Sequence, residues 1–513
     1  MNYAELKRSL WKHSVTVPDY PELTEDLTAD VCVVGAGIAG MSAAYELAHV
    51  GHTVIVVDDG VIGSGQTHYT TAHLASVQDD RFVRLEKVHG TEGSRLAAES
   101  HAAAIDRIES ISAEEGIACD FHRLDAYLMP GKDQPTTELE EEMQAARRAG
   151  LSAEMVLKAP LVEGFDSGPS IRFANQAQFH AHKYILGLTK PIEARKGQIF
   201  CGTHATEIHG GKKPRVIMRN GCIVSCGAII LATNAPIVDN AQIYAKQAPY
   251  MSYVIVGAVK KGSVEKALYW DDEEPYHYVR LDLIGSEVER KEKDEDLLII
   301  GGEDHRSGHA DDANDRFARL ERWARERFPL KKDLRYVWSG QVLEPMDGMG
   351  MIGRNPATDE NVYIVTGDSG QGMTHGVLGG ILLRDLILGR KNPWESLYEP
   401  SRFRLKASGE FLKENATVVA DLTEWVTPGD GKEVQHLKRG TGMVVRRGAS
   451  KVAIYRDDDG AVREFSAVCP HRGCIVRWNS FEKSWDCPCH GSRYKSDGTV
   501  INGPSLEDLK ALS

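Results

Sequence analysis

The sequence predicts an α/β chain with three parts: a Rossmann-like dinucleotide-binding domain, an antiparallel-sheet domain interleaved with it, and a small all-β domain at the C-terminal end. Three observations indicate this architecture. A strand, a G-x-G-x-x-G turn, a helix and a second strand follow one another over residues 30–58. Apolar residues alternate with period two from Tyr250, and short strands with turn signals continue from Ala416.

The composition narrows the class of protein. The 513 residues carry 61 Lys and Arg against 74 Asp and Glu, a net charge of −13, and the chain has no long basic run. This balance argues against binding to nucleic acid or to an anionic membrane. No stretch reaches transmembrane length and the N-terminus lacks an apolar targeting segment, so we expect a cytoplasmic protein without a membrane span.

The first glycine-rich turn predicts a dinucleotide site. Gly35 permits the tight turn, Gly37 allows the backbone to approach a pyrophosphate, and Gly40 allows the helix to pack closely against the strand. Asp58 ends the second strand, where a carboxylate can accept hydrogen bonds from ribose hydroxyls. The phosphates are expected at the N-terminus of the helix.

A second strand–turn–helix pattern occurs much later, at residues 361–389. Its T-G-x-x-G-x-G-x-T-x-G turn again presents a helix N-terminus, whose N–H groups and dipole favour an anion. Two such turns in one chain fit a cofactor with two ends. A small, hydroxylated loop at 63–71 follows the ribose-binding acid and favours FAD over NAD.

These motifs, with a D-G-x-x-x-I-G stretch at 347–353, resemble those of FAD-dependent oxidoreductases of the D-amino-acid oxidase superfamily, which includes glycine, sarcosine and γ-glutamylputrescine oxidases. The resemblance implies a glutathione-reductase-type FAD-binding domain. Some members attach FAD covalently through a His in the 63–71 loop; here Tyr69 occupies that place and His68 is one residue away, so non-covalent FAD is expected. The predicted FAD-binding residues are Gly35, Gly37, Ile38, Ala39, Gly40, Asp58, Asp59, Gly65, Thr67, Thr71, Ala232, Thr233, Gly367, Asp368, Gly370, Gly372, Met373 and Thr374.

The alternating strands from Tyr250 predict an antiparallel sheet with one face toward a pocket. Members of the superfamily carry their substrate sheet in this region, and their chemistry is hydride transfer to the flavin from a carbon next to nitrogen. The residues predicted to contact substrate are Tyr253, His277, Tyr278, Arg280 and His305. The competing interpretation is structural, because a strand Arg is commonly ion-paired and a lone His is commonly a satisfied core residue.

Two short loops near the end of the chain contain a metal-ligand pattern. Cys469 and His471 form a C-x-H pair, and Cys487 and His490 form a C-x₂-H pair. Two thiolates and two imidazoles can hold either a zinc ion or a Rieske [2Fe–2S] cluster.

The additional residues of these loops resemble those of Rieske proteins of the cytochrome bc type, which favours the cluster over zinc. The resemblance implies a disulfide between Cys474 and Cys489 and hydrogen bonds from Ser492 and Tyr494 to the cluster region. The Gly503–Pro504 pair matches the proline loop of that family. No helical His cluster with a nearby acid follows, so a mononuclear iron of the oxygenase type is not expected.

The two resemblances together define the predicted domains. An N-terminal arm is expected at 1–28, the FAD-dependent oxidoreductase at 29–405, a linker at 406–415 and the Rieske domain at 416–513. Within the oxidoreductase, FAD-binding segments are expected at about 29–110, 170–240 and 335–395, and substrate-domain segments at about 111–169 and 241–334.

The implied function is FAD-dependent oxidation of an amine or amino acid, including N-demethylation as one form, with electrons passing from FAD to the cluster and on to an external acceptor protein. Two alternatives stay open. The Rieske domain could instead receive electrons from a donor protein and feed the flavin for reductive or monooxygenase chemistry. The chain could also be an oxygen-dependent amine oxidase whose cluster domain is mainly structural. A non-enzymatic redox sensor is disfavoured by the predicted substrate sheet.

Overall fold

Four β-sheets and their covering helices make up the fold of the described chain. The structure, a computed structural model, describes residues 3–132, 134–238, 241–282, 294–356, 358, 360–427, 429–430 and 437–512. The strands are β1 Leu27–Val34, β2 Val54–Val57, β3 His73–Leu74, β4 His122–Met129, β5 Ala153–Val156, β6 Ser170–Gln178, β7 Gln198–Phe200, β8 Ala205–His209, β9 Arg215–Met218, β10 Ile223–Leu231, β11 Gln247–Lys260, β12 Leu268–Asp271, β13 His277–Asp282, β14 Glu295–Arg306, β15 Leu334–Pro345, β16 Met351–Arg354, β17 Val362–Thr366, β18 Thr441–Arg447, β19 Ser450–Arg456, β20 Val462–Ser466, β21 Arg477–Asn479, β22 Ser484–Asp486, β23 Arg493–Lys495 and β24 Val500–Asn502.

The α-helices connect and cover these sheets. They are α1 Leu10–Ser14, α2 Ile38–His49, α3 Phe82–Glu114, α4 Thr136–Arg148, α5 Ala181–Gly187, α6 Thr189–Ala194, α7 Ala241–Tyr244, α8 Ala313–Arg327, α9 Gly372–Ile387, α10 Glu395–Tyr398 and α11 Ser408–Leu422. Among the residues described, no helix combines the length and the apolar composition that crossing a membrane requires.

The first sheet carries both glycine-rich turns. Its main strand order is β16-β17-β10-β1-β2-β7, and β1 pairs in parallel with β10 and β2. The first turn joins β1 to α2 and the second joins β17 to α9. Gly376 and Gly380 on α9 lie against the backbone of α2, where an added Cβ would come within 3.0 Å of backbone atoms. This close packing fixes the two helix N-termini relative to each other.

The second sheet contains the strands predicted to form an antiparallel substrate sheet, and its strand pairs are antiparallel except β12 with β4, which is parallel. Its order is β15-β11-β14-β13-β12-β4-β6-β3, with β11 antiparallel to both β14 and β15. Helix α8 covers one face with Phe317, Leu320 and Trp323, all of which are buried. The opposite face looks toward the glycine-rich turns, which places the functional site between the two large sheets.

Two small sheets, β18-β19-β20 and β21-β22-β23-β24, form the C-terminal domain. A hairpin turn at 457–460 joins β19 to β20. One prediction is wrong: residues 416–421 belong to α11 and are not a strand. The half-buried or buried positions in that helix are Phe411, Glu414, Asn415, Thr417, Val418 and Asp421. They recur with a helical spacing that the A-T-V-V-A run at 416–420 conceals.

Candidate active site and cluster site

A cavity of about 380 Å³ lies where the two large sheets and the C-terminal domain meet. Both glycine-rich turns line it, together with almost every residue predicted to bind FAD. The exceptions are Gly40 and Thr374. A Cβ on Gly40 would overlap the carbonyl oxygen of Gly35, so Gly40 serves helix–strand packing. The Thr374 hydroxyl lies 2.8 Å from Nδ1 of His101, away from the cavity wall.

The first turn is shaped for a pyrophosphate and a ribose. Gly35 has φ +108°, and a Cβ there would lie 2.5 Å from the carbonyl oxygen of Ala232. Helix α2 begins at Gly37, which provides no capping side chain. Asp58 accepts hydrogen bonds from the N–H groups of Ala36 at 2.6 Å and Gly60 at 2.8 Å. Burial raises the pKa of Asp58 to about 6, so its carboxylate is ionised at neutral pH.

The second turn is built in the same way. Helix α9 starts after Gln371, whose side chain does not cap it and instead donates to Asp79 Oδ1 at 3.1 Å. Gly367 and Gly370 both have φ between 70° and 75°, and a Cβ at either position would collide with a neighbouring side chain. Backbone N–H groups at a helix N-terminus favour an anionic or electron-rich ligand. At α2 one of them, the N–H of Ile38, already donates to the Thr67 hydroxyl at 3.0 Å. The two turns therefore fit the two ends of a flavin dinucleotide, while non-covalent attachment stays a prediction.

Of the residues predicted to contact substrate, Tyr278 lines the cavity and the other members of that set do not. The Tyr278 hydroxyl is 2.7 Å from the Ser252 hydroxyl, which also lines the cavity. Tyr253 follows Ser252 on β11, so its side chain points to the opposite face of the sheet. There its ring packs on His305 at 5.7 Å and on Phe317 at 5.1 Å. Tyr253 and His305 are core residues in this fold.

His277 and Arg280 also have structural surroundings, against the prediction. His277 bonds Asp271 Oδ2 through Nδ1 at 3.0 Å and stacks on Trp323 at 4.3 Å. Arg280 is fully buried beneath the cavity floor. Its guanidinium donates to the carbonyl oxygens of Ala72 at 3.0 Å and Phe179 at 3.1 Å. Because Arg280 is directed at backbone oxygens, it is not placed to bind a substrate carboxylate.

A group of half-buried acids that was not predicted from the sequence lies beside the second glycine turn. Asp79 lines the cavity with Tyr276, and Asp304 and Glu344 lie behind them. Burial raises the pKa of Asp79 to about 6, of Asp304 to about 7 and of Glu344 to about 8, and neighbouring carboxylates add to each shift. The acidic pair Asp79–Asp80 that ends the small-residue stretch 72–77 was the available sequence signal.

The cavity wall is poor in positive charge. Among the described lining residues, Arg493 is the single Lys or Arg. Its guanidinium is 3.0 Å from Asp486 and 3.9 Å from Glu482, so its charge is already balanced. The described wall thus presents carboxyl and phenol groups, and no unbalanced cation, to a ligand.

The cluster loops bring the predicted ligands together. Cys469 and Cys487 are buried with adjacent thiols, and the rings of His471 and His490 lie 5.0 Å apart. The Tyr494 hydroxyl is 3.1 Å from Cys469 Sγ. Two sulfur and two nitrogen ligands from two loops match the ligand set of a Rieske cluster.

The flanking residues of the cluster loops also lie where the resemblance implies. Cys474 and Cys489 form a disulfide. The Ser492 hydroxyl accepts a hydrogen bond at 3.1 Å from the N–H of Ser505, which follows the Gly503–Pro504 pair. The disulfide and this bond tie the two ligand loops and the proline loop into one unit.

The cluster loops face the flavin-binding region directly. The ring of Tyr244, on α7, packs on His471 at 4.5 Å and on His490 at 5.5 Å. Several residues of the C-terminal domain form part of the cavity wall. They are Glu482, Arg493, Val500, Ile501, Asn502, Gly503, Ser505 and Leu506.

Comparison with protein families agrees with this geometry. Residues 30–386 match the family described as DAO, FAD dependent oxidoreductase, and residues 425–513 match the Rieske [2Fe-2S] domain. The chain belongs to the FAD-dependent oxidoreductase family and carries a C-terminal Rieske domain. The predicted fold class and both cofactors, FAD and a [2Fe–2S] cluster, are confirmed, and the zinc alternative is wrong.

One relative matches nearly the whole chain, and others match about three quarters of it. The chain is 29% identical over 510 residues to YhfW of Bacillus subtilis strain 168, named as a Rieske 2Fe-2S iron-sulfur protein, covering 99% of this chain and 98% of that one. It is 25% identical over 385 residues to gamma-glutamylputrescine oxidoreductase of Escherichia coli K12, covering 72% and 86%. The fold is similar to glycine oxidase from Geobacillus kaustophilus, with a TM-score of 0.59, 16% identity and coverage of 74% and 99%.

Proposed function

We propose that this protein oxidises a cationic amine at a carbon next to nitrogen and passes the electrons through its Rieske domain to an outside one-electron acceptor protein. The observation that carries the proposal is the shared cavity. One wall consists of the two glycine-rich turns and another consists of residues of the Rieske domain. A substrate site and an electron outlet on a single cavity are what a flavin-to-cluster relay requires.

The proposed reaction is a two-electron oxidation of a C–N bond. FAD, when bound, supplies a two-electron acceptor for a hydride, and the [2Fe–2S] cluster supplies a one-electron carrier. Overall, an R₂CH–NHR′ group loses two electrons and two protons and becomes R₂C=NR′, which water hydrolyses to a carbonyl compound and an amine. Two molecules of the outside acceptor take one electron each, and the protons go to solvent.

The chain's own residues would hold the two groups and orient the substrate. In this proposal the residues of the two glycine turns bind FAD, and Cys469, His471, Cys487 and His490 bind the cluster. Tyr278 and Ser252, whose hydroxyls are 2.7 Å apart, provide hydrogen-bonding groups for the reacting nitrogen. Burial raises the pKa of Tyr278, so this phenol stays protonated and is available as a donor.

The charges of the cavity wall favour an amine over an α-amino acid. A buried carboxylate of the substrate would require a cationic partner, because an uncompensated buried charge is strongly unfavourable. The one guanidinium of the described wall is paired with acids, and Asp79 would repel a carboxylate. A second ammonium group, remote from the reacting nitrogen, would instead pair with Asp79. Diamines and polyamines are the substrate class that matches this arrangement.

Anaerobic mixing of the holoenzyme with diamines, polyamines, N-methylated amines and amino acids tests the proposal. With a diamine we expect flavin bleaching first and the spectrum of a reduced cluster afterwards. Bleaching by amino acids alone would contradict the amine assignment. A cluster that stays oxidised after bleaching would contradict the relay.

A cluster-free variant, Cys487→Ser, separates the relay from an oxygen-dependent oxidase. The relay predicts that this variant still bleaches with substrate but no longer reduces an added one-electron acceptor protein. Undiminished turnover in air by the same variant would support the oxidase alternative.

A further inference from the structure

Gln341 contacts both cofactor regions at once. It lies on β15, is 3% exposed and lines the cavity. Its backbone N–H donates to Oε1 of Gln66, another cavity residue, at 2.8 Å. Its side-chain amide donates from Nε2 to the carbonyl oxygen of Gly491 at 3.0 Å and accepts at Oε1 from Asn502 at 3.2 Å.

The partner of this amide directly follows a cluster ligand. Gly491 is bonded to His490, so one hydrogen bond and a short stretch of backbone connect the cavity wall to that imidazole. The Gln341 side chain lies so close to Gly491 that a side chain at residue 491 would not fit. Gly491 has φ +82°, and a Cβ there would lie 2.8 Å from Gln341 Nε2 and 2.8 Å from Pro249 Cβ. Only glycine combines this backbone conformation with this contact.

We propose that Gln341 is a positioning residue that couples the flavin cavity to the cluster. It holds the His490 loop against the cavity wall and provides a continuous path of covalent and hydrogen bonds for the electron. The inference rests on the proposed flavin-to-cluster relay. Each crossing moves one electron and no proton, makes and breaks no bond, and ends with the outside one-electron acceptor.

Tyr244 is the competing contact between the two regions. Its ring packs on both cluster histidines, but it is not among the residues that line the cavity. Its hydroxyl bonds to the carbonyl oxygen of Pro236. Tyr244 therefore covers the histidines by ring packing, whereas Gln341 joins the cavity wall to the His490 loop by a hydrogen bond.

The test measures internal electron transfer in holoenzyme without substrate. Gln341→Leu and Gln341→Met remove the amide and keep the length of the side chain, and Tyr244→Leu is the matched control that removes the ring contact. Flavin is reduced by a light flash in the presence of a sacrificial donor, and cluster reduction is followed by absorbance and confirmed by electron paramagnetic resonance. We expect both Gln341 variants to transfer about tenfold more slowly, because the electron then has to cross from the cavity wall to the His490 loop without the hydrogen bond that holds the two together. Tyr244→Leu should transfer within about threefold of the wild-type rate, because Tyr244 does not line the cavity from which the electron starts.

Each alternative result is decisive. A cofactor-complete Gln341 variant that transfers at the wild-type rate overturns the inference, and so does slowing confined to Tyr244→Leu. Loss of the cluster from both Gln341 variants at unchanged melting temperature also overturns it, because Gln341 would then retain the cluster and not couple it. Absence of transfer in the wild-type protein would contradict the proposed relay itself. Unchanged flavin bleaching by substrate in the variants shows that the substrate site is intact.

Discussion

The two ends of the cavity recognise their ligands by different means. At the first glycine turn, backbone N–H groups and missing side chains make the surface, and Asp58 is one of the few side chains that take part. Near the second turn, the surface consists of side chains from separate segments, among them Asp79, Ser252, Tyr276 and Tyr278. The cofactor is the same molecule in every turnover and can be bound by a backbone motif. A substrate has to be distinguished from similar molecules, and side chains from several strands make that distinction.

The largest effect, a loss of FAD affinity, is expected at the first glycine turn, where the backbone forms the cavity surface. Gly35→Ala places a Cβ 2.5 Å from the Ala232 carbonyl at φ +108°, a conformation that costs an L-residue about 1–2 kcal/mol before the overlap is counted. We expect FAD affinity to fall by more than about a hundredfold, equivalent to about 3 kcal/mol. The measurement is flavin bound per chain.

Gly51→Ala is the matched control in the same strand–helix–strand unit. Gly51 has φ +97° but does not line the cavity, and an added Cβ would meet nothing within 4 Å. Full flavin content is expected in this variant. Equal flavin content in the Ala variants of Gly35 and Gly51 would remove the distinction between the two ends.

An intermediate effect is expected where side chains form the surface. Asp79→Asn removes the charge proposed to pair with a substrate ammonium, a bond of about 1.5–3 kcal/mol, so KM for a diamine should rise about 10- to 150-fold. FAD content should stay unchanged. Asp80→Asn, whose carboxyl bonds Ser369 away from the lining, should alter KM little.

The binding of a diamine is expected to weaken as the pH falls. Because the pKa of Asp79 is about 6, its carboxylate becomes neutral as the pH falls through 6, and the attraction for a cation is lost below that value. KM of the wild-type protein for a diamine should therefore rise as the pH falls from 7 to 5. The rise should be absent in Asp79→Asn. A KM independent of pH in the wild type would separate Asp79 from substrate binding.

The smallest effect is expected in the cluster loops. There a sequence motif supplies the cluster ligands, and one additional side chain, Tyr494, adjusts the midpoint potential. The Tyr494 hydroxyl, 3.1 Å from Cys469 Sγ, is expected to stabilise the more negative reduced cluster. Tyr494→Phe should lower the midpoint potential by about 40 mV, the equivalent of one hydrogen bond of about 1 kcal/mol. Tyr455→Phe, whose ring packs on Trp478, is the control and should leave the potential unchanged.

Sequence reasoning reached the fold and both cofactors because their determinants are local. Gly35, Gly37 and Gly40 stand within a few residues of each other, as do Cys469 and His471. The substrate residues were harder for two reasons. A strand shows which residues share a face but not which face is turned to the cavity, so Tyr253 was assigned to the wrong side. Arg280 lies on the same face of β13 as Tyr278 but is buried beneath the floor of the cavity.

Contacts between residues that are far apart along the chain could not be predicted from the sequence either. Asp79 and Asp304 are more than two hundred residues apart in the sequence, and only the folded chain places both among the half-buried acids beside Tyr276. The helix α11 was missed because a five-residue apolar run has no clear periodicity, and its buried positions depend on the domains that it lies between. The contact of Gln341 with Gly491 joins two domains and has no signal in either segment.

The wall that the C-terminal domain contributes to the cavity has a consequence for the biogenesis of the protein. Six residues of the C-terminal domain line the space in which the flavin is expected to bind: Val500, Ile501, Asn502, Gly503, Ser505 and Leu506. Synthesis runs from the N-terminus, and N-terminal domains generally fold first. With this order of domains we expect flavin to bind before the C-terminal domain completes the cavity wall. A circularly permuted chain that begins with the cluster domain should emerge from the ribosome with less flavin.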